Sequence, residues 1–187
     1  MRALALAAVA LTVAGGAAAQ TKADLAAVRD TSIVDQAGAR LLRDTVRIQA
    51  SPSVIWRALT DQATYRAWTG SPQSFIDFRV GGAVEVAFTP TGKAGDPDNL
   101  KQEITAYVPE RLIVFRNLHN PGAPGGAAYG RLAIVLQIDP RGDGTTGVTL
   151  SQVGYQQGAD FDALYGFFKT HNPEYLAALK AYVERAR

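Results

Sequence analysis

The chain has 187 residues, no cysteine, only two histidines and a formal net charge of +2. Without cysteine it has no disulfide, no thiolate metal site and no cysteine nucleophile. Lysine and arginine are dispersed along the chain, so the dense basic surface of a nucleic-acid-binding protein is not expected.

Residues 1–19 have the layout of a secretory signal peptide. Arg2 gives a short basic start, an apolar run follows, and three alanines precede a cleavage site after Ala19. A glycine pair interrupts the apolar run, which falls short of the roughly 18–20 residues needed to span a bilayer. We therefore expect export to the periplasm or secretion. The mature chain, residues 20–187, is expected to be a single domain without a transmembrane segment.

The mature chain is predicted to begin with a short helical or frayed segment at residues 20–30. Apolar alternation then predicts a strand over residues 41–50. Ser51 and Pro52 suit the N-cap and first turn of a helix. A second short helix is predicted over residues 63–68.

Five or six antiparallel strands are predicted to follow, at residues 75–80, 84–88, 102–108, 111–118, 129–139 and 145–155. Gly81 and Gly82 form the turn of the first hairpin. The pair lacks the spacing and the following helix of a phosphate-binding loop. Residues 90–99 and 120–128 are Gly/Pro-rich loops, the second of which we expect to be mobile.

Apolar residues recur at helical spacing from Phe161 to Val183. Asn172 and Pro173 suit the start of a new helix, so a break or kink is expected there. The order of elements predicts an α+β domain whose curved antiparallel sheet packs against the C-terminal helix. Such an arrangement leaves a cavity between sheet and helix for a small apolar ligand.

Several segments resemble, in the same order, the START-like or SRPBCC superfamily. Its opening is carried by residues 46–61, VRIQASPSVIWRALTD, followed by Trp68. Three further segments resemble the subgroup named after the activator of the ninety-kilodalton heat-shock-protein ATPase. They are DFRVGG at 77–82, EITAYVPERL at 103–112 and TTGVTL at 145–150. The resemblance extends from about residue 45 to the end.

The resemblance implies a helix-grip, birch-pollen-allergen-like fold with an internal pocket for hydrophobic or amphipathic small molecules. Members of the superfamily include lipid carriers, hormone receptors and aromatic-ring cyclases. The subgroup's name comes from a cytosolic co-chaperone, which an exported protein would not meet, so that activity is not carried over. Related sequences often have tryptophan where this chain has THNPEY at residues 170–175, which alters one wall of the implied pocket.

The leading hypothesis is an exported protein that binds a hydrophobic small molecule or lipid in this cavity. The residues expected to line it are Trp68, Phe115, Tyr129, Tyr155, Tyr165, Phe168 and His171. A second hypothesis is a cyclase or isomerase with His171 or a buried carboxylate as acid and base. A third is an interaction module of the cell envelope, with a filled interior and an exposed apolar patch.

Other chemistry has little support in the sequence. There is no HExxH motif, no His-x-His and no carboxylate cluster, so we expect neither a metal site nor a cofactor. His119 lies among loop residues, which suggests a solvated side chain. Arg79, Glu85 and Glu103 form a polar set that faces either the cavity or water. Apolar alternation favours water, because it places the opposite strand face in the core, with Ile76, Phe78, Val84, Val86, Ile104 and Ala106.

Overall fold

The computed structural model describes residues 22–36 and 38–185, so the predicted signal peptide lies outside the described residues. The helices are α1 Lys22–Ala26, α2 Pro52–Thr60, α3 Gln62–Thr69 and α4 Ala159–Arg185, with a 3₁₀ segment at Gly126–Arg131. The strands are β1 Arg29–Asp30, β2 Ile33–Val34, β3 Arg40–Ile48, β4 Gln73–Ile76, β5 Ala83–Ala87, β6 Leu100–Val108, β7 Leu112–His119, β8 Ala133–Pro140 and β9 Thr146–Val153.

The strands of the described ranges form one antiparallel sheet. Their order is β1-β3-β9-β8-β7-β6-β5-β4, and β2 pairs separately with β3. Helix α4 packs on β3 and β9, while α2 and α3 contact each other and α4. The predicted α+β helix-grip fold, a curved antiparallel sheet with a long C-terminal helix, is confirmed.

Strand alternation decides which side chains lie under α4. On β3, Leu42, Asp44, Val46 and Ile48 are buried, whereas Arg47 is exposed. Their register partners on β9, from Gln152 to Thr146, are buried on the same face. Because side chains two residues apart share a face of a strand, β3 and β9 together form the concave surface that faces α4.

The prediction that Ala106 on β6 faces the core is wrong. An irregularity between Ile104 and Ala106 shifts the register with β7. After it, Tyr107 packs against the core, with its ring 5.0 Å from that of Phe78, whereas Ala106 is exposed. A bulge adds one residue to one strand, so it exchanges the two faces from that point onward.

A break or kink was predicted at Asn172; helix α4 is continuous through Pro173, so a break is wrong. Asn172 is buried on the face that meets the sheet and does not cap a new helix. Its neighbours at helical spacing, Phe168 and Leu176, are also buried, so packing of this stripe offsets the missing proline N–H. The predicted strand at residues 129–139 also starts later, because Tyr129 lies in the 3₁₀ segment.

The two glycines of the β4–β5 turn are needed for different reasons, so we expect substitutions at the two positions to have different effects on stability. Gly81 has φ +79° and open space around a built Cβ, whereas a Cβ at Gly82 would overlap the carbonyl oxygen of Asp77. We expect Gly82→Ala to lower the free energy of unfolding by about 2 kcal/mol. Gly81→Asn should cost about 1 kcal/mol or less, because asparagine tolerates positive φ. Urea unfolding measures both values, and equal losses would contradict this explanation.

Candidate functional site

The buried apolar side chains form two clusters. The main core contains Val46, Ile48, Ala50, Ile55, Ala58, Leu59, Tyr65, Trp68, Val84, Ile104, Ile113, Phe115, Ile134, Leu136, Ile138, Val148, Leu150, Leu176, Leu179 and Val183. The second core contains Leu42, Tyr129, Leu132, Tyr155, Phe161, Leu164 and Phe168. Both cores have side chains from β3 and α4, so they are neighbours along the same sheet–helix interface.

Polar side chains, here called the polar band, lie at the sheet–helix interface between the two cores, on α4 and on the strands from β3 to β6 of the sheet order except β8. It consists of Asp44 on β3, Gln152 on β9, Asn117 on β7, Gln102 on β6 and Asn172 on α4. Asn172 Nδ2 donates to Gln152 Oε1 at 3.3 Å, and Gln102 Nε2 donates to Asn117 Oδ1 at 3.2 Å.

The position of the band follows from residue spacing. On β3, Leu42 belongs to the second core and Val46 to the main core, with Asp44 between them. On α4, Phe168 belongs to the second core and Leu176 to the main core, and Asn172 lies between them. On both the sheet and the helix, therefore, a polar residue separates the side chains of the second core from those of the main core.

Asp44 is the most unusual group of the band. The residue is only 2% exposed, and its Oδ2 has no hydrogen-bond partner. Asp30 on β1 is its direct register partner, and Lys169 Nζ on α4 lies 2.9 Å from Asp30 Oδ2. Burial raises the pKa of the Asp44 carboxyl to about 6, with a further increase from the charge of Asp30 and an opposing effect of Lys169.

Further unpartnered polar atoms lie on β7, on β9 and just after β9. Among the described residues, four buried side-chain atoms lack a hydrogen-bond partner, namely Asp44 Oδ2, Asn117 Nδ2, Gln152 Nε2 and Tyr155 Oη. Leaving such a group unsatisfied costs about 1–3 kcal/mol. They comprise one carboxylate acceptor and three donors, spread from β3 to β7 in surroundings that are otherwise apolar and aromatic.

Six of the seven predicted ligand residues lie in or against the two cores, and four of these six, all but Trp68 and Phe115, belong to or pack against the second core. The Tyr129 and Phe168 rings stack at 6.2 Å, and the Tyr155 and Tyr165 rings meet edge to face at 5.2 Å. Phe115 is buried on β7, two residues before Asn117. Burial raises the pKa of the Tyr129 hydroxyl, which is hydrogen-bonded to Asn120. That bond connects the loop at residues 120–128 to the second core.

Trp68 lies in the main core and helps to close one end of the domain. Its Nε1 donates to the Ala58 carbonyl at 2.7 Å, and its ring meets that of Tyr175 edge to face at 4.9 Å. Burial raises the pKa of Tyr65 to about 12, although a hydrogen bond with Tyr175 opposes the shift. Tyr175 belongs to the segment in which this chain departs from related sequences, and it fills the space beside Trp68.

His171 lies apart from the other predicted ligand residues. Its side chain is 42% exposed, and Nδ1 lies 2.9 Å from Glu174 Oε2. Because α4 continues without a break, a residue next to the buried Asn172 is rotated about 100° around the helix. The side chain of His171 therefore lies on a partly exposed side of α4, whereas Asn172 faces the sheet and belongs to the polar band.

The sequence interpretation missed the polar band, although one signal was available. Asp44 alternates with Leu42 and Val46, so the strand pattern by itself places a carboxylate on the apolar face. The other polar set of the sequence lies on the outer face. There Glu103 Oε2 accepts from Arg116 Nε at 2.9 Å, and Glu85 Oε2 accepts from Asn99 Nδ2 at 2.9 Å.

A separate cleft of about 550 Å³ lies between α2, α3 and the C-terminal half of α4. It is lined by Ala50, Ser51, Val54, Arg57, Ala58, Thr64, Tyr182 and Val183. Across residues 22–36 and 38–185, no three side chains of His, Asp or Glu are grouped as metal ligands. No helix of that part combines the length and apolar character needed to cross a bilayer.

Solved structures of other proteins share this architecture. The Aha1 dimer of Colwellia psychrerythraea matches with TM-score 0.61 and 18% identity, over 77% of this chain and 96% of that chain. A Mesorhizobium loti protein matches with TM-score 0.58 and 21% identity, over 78% and 98%. An Hsp90 activator of Plasmodium falciparum matches with TM-score 0.56 and 15% identity, over 72% and 88%. At these identities the matches support the fold alone.

No curated protein matches the chain. The family model of the Activator of Hsp90 ATPase homolog 1-like proteins matches residues 49–184, from the end of β3 almost to the end of α4. The match covers most of the chain and agrees with the START-like motifs and with the helix-grip architecture. The chain therefore belongs to the family of Activator of Hsp90 ATPase homolog 1-like proteins, within the SRPBCC superfamily.

Proposed function

We propose that the protein binds an amphipathic small molecule or lipid between the sheet and α4, at the polar band. The observation that carries the proposal is the group of unpartnered polar atoms on Asp44, Asn117, Gln152 and Tyr155. A few polar groups in apolar surroundings are typical of a small-molecule site, because apolar burial supplies affinity and the polar groups set orientation.

The apolar part of the ligand would lie against the second core. Phe168 and Tyr129 stack there, beside the loop that Asn120 connects to Tyr129. Their rings occupy the space between α4 and the sheet, so binding requires them to rotate or the loop at residues 120–128 to open. The site residues proposed here are Phe115, Tyr129, Tyr155, Tyr165 and Phe168, together with Asp44 and Gln152.

Export is part of the proposal. The protein would act in the periplasm or outside the cell, as the signal-peptide pattern of residues 1–19 predicts. Two structural neighbours are named Aha1 or Hsp90 activator. An exported protein would not meet a cytosolic chaperone, so the proposal does not include that activity.

Native mass spectrometry of the protein from the periplasmic fraction of its host, followed by organic extraction, tests both parts. We expect a protein mass that corresponds to cleavage after Ala19 and a reproducible apolar compound that co-purifies. The matched control is the double variant Gln152→Leu, Asn172→Leu, which replaces an amide pair of the band by apolar groups of similar size. Equal ligand retention by this variant would contradict binding at the band.

Acid–base catalysis at the same place is the second candidate, favoured by one observation. A carboxyl group with a pKa of about 6 exchanges protons near neutral pH, which is the property of a general acid or base. Incubation of the extracted compound with the protein would then change its mass or its isomer. Retained binding with lost turnover in Asp44→Asn would support catalysis, and an unchanged compound would leave the protein as a carrier.

The third hypothesis, an envelope interaction module, has weaker support. Large apolar side chains that are exposed belong to separate elements and loops, from Leu25 on α1 to Val153 on β9. The filled interior agrees with this hypothesis, but the unpartnered buried groups of the polar band are not explained by it.

A further inference from the structure

The surroundings of Asp44 favour one chemical class of ligand. We propose that the site takes a cationic amphiphile, in which an ammonium group pairs with the Asp44 carboxylate and an apolar chain lies along the second core. This inference rests on the proposed function and adds the nature of the polar head group.

The charged groups around Asp44 carry an excess of negative charge. Asp30 faces it from β1 as its direct register partner, and Lys169 faces it from α4. Strand β9, on the other side of β3, carries no titratable side chain, and it places Leu150 opposite Asp44 and Gln152 opposite Leu42. With both carboxylates ionised, two negative charges face one positive charge, so an added cation balances the site and an added anion is repelled.

The Asp44 carboxylate is also unsatisfied as a hydrogen-bond acceptor. A buried charge is costly unless it is paired and hydrogen-bonded, and Asp44 Oδ2 has no partner. An ammonium group has three donors and no acceptor, so it would satisfy this oxygen without leaving an unpaired acceptor of its own. A neutral hydroxyl would satisfy the oxygen but would leave the charge unbalanced.

This edge of the domain already holds cationic groups of the protein. Lys169 Nζ contacts Asp30 and lies 5.7 Å from the centre of the Tyr165 ring. The Arg40 guanidinium lies 5.3 Å from the same ring. Aromatic faces attract cations, so the chemistry of this edge, between β1 and α4, suits an ammonium group.

Lys169 and Asp30 also define the route to the buried carboxylate. Their side chains are 51% and 47% exposed, whereas Asp44 is almost fully buried on the adjacent strand. In this proposal an incoming ammonium group meets the exposed Asp30 before it reaches Asp44. Gln152 Nε2 remains a donor for an oxygen atom further along the ligand.

Isothermal titration with three probes of equal chain length tests the inference. Decylamine, decanol and decanoate differ only in the head group, so their apolar burial is matched. At about pH 7.5 we expect decylamine to bind at least about tenfold more tightly than the other two. The preference should decrease at about pH 5, where Asp44 takes up a proton and loses its charge.

Two variants complete the experiment. Asp44→Asn should lose about tenfold in decylamine affinity and keep its decanol affinity. Asp139→Asn, an exposed carboxylate on β8, should behave as the wild type. Equal affinity for the three probes, or an unchanged decylamine affinity in Asp44→Asn, would overturn the cationic preference alone. Absence of binding by every probe would overturn the proposed function and this inference with it.

Discussion

Asp44→Asn is expected to raise the free energy of unfolding by about 3 kcal/mol at about pH 7.5. Burial raises the pKa of this carboxyl from 3.8 to about 6, so the folded chain keeps a proton that the unfolded chain releases. Because the folded state binds more protons between these values, the wild-type stability decreases as pH rises from about 4 to about 6. The variant lacks the titrating group, so the difference between the proteins grows over the same interval and is complete above about pH 7.

Asp30→Asn is the matched control, because the sign of its effect is opposite. A hydrogen bond from Lys169, with others from Ser32, lowers the pKa of Asp30 to about 2. Its ionised form therefore stabilises the folded state above the unfolded pKa, and this contribution is lost as pH falls through about 2. The pair is half exposed, so we expect a loss of about 1 kcal/mol or less.

Urea unfolding followed by circular dichroism at several pH values distinguishes these two results. A lower stability of Asp44→Asn at neutral pH, or a difference from wild type that does not change between about pH 4 and 7, would contradict a buried, unpaired carboxylate. The expected gain also bears on function. A protein that is more stable without Asp44 has a carboxylate that its fold does not need, as is common for functional groups.

Trp68→Ala is expected to lower the free energy of unfolding by about 4 kcal/mol. Trp68 is 3% exposed, and its ring contacts Tyr175 and Tyr65 at centroid distances of 4.9 and 5.3 Å. Alanine at this position would leave a large cavity between α3 and α4. It would also remove the hydrogen bond to the Ala58 carbonyl, one of the last carbonyls of α2.

Trp68→Phe distinguishes the contribution of aromatic packing from that of the Nε1–H hydrogen bond. It keeps most of the aromatic packing and loses the N–H donor, so we expect a cost of about 1–2 kcal/mol. The chain has two tryptophans, so Trp56 remains as the single fluorescent reporter in both Trp68 variants, and urea unfolding followed by its emission measures both values. A loss of less than about 1 kcal/mol in Trp68→Ala would show that α2 and α3 do not depend on this contact.

Most of the fold was predictable because its signals are local. Ser51 and Pro52 set the start of α2, and Gly81 and Gly82 set the β4–β5 turn. The errors arose where long-range packing opposes a local rule. Pro173 is tolerated inside α4 because the buried stripe around Asn172 continues on both sides of it. The bulge in β6 is set by pairing with β7, which a single strand does not reveal.

The candidate site was predictable only in part. The aromatic residues Tyr129, Tyr155, Tyr165 and Phe168 were expected beside a cavity, and the structure brings them together in or against the second core. The polar groups among them were not expected. Polar residues are mostly exposed, so a buried one is recognised only when the register of its strand is known.

The sequence by itself determined the order of the elements, the apolar faces of most strands and the family, because each depends on spacing within a short segment. Only the tertiary structure decided which polar residues share a site. Asp30, Asp44, Gln152 and Lys169 come from distant parts of the chain and meet through the strand order β1-β3-β9 and the rotation of α4. Charge pairing and burial depend on these distances in space, and no local pattern encodes them.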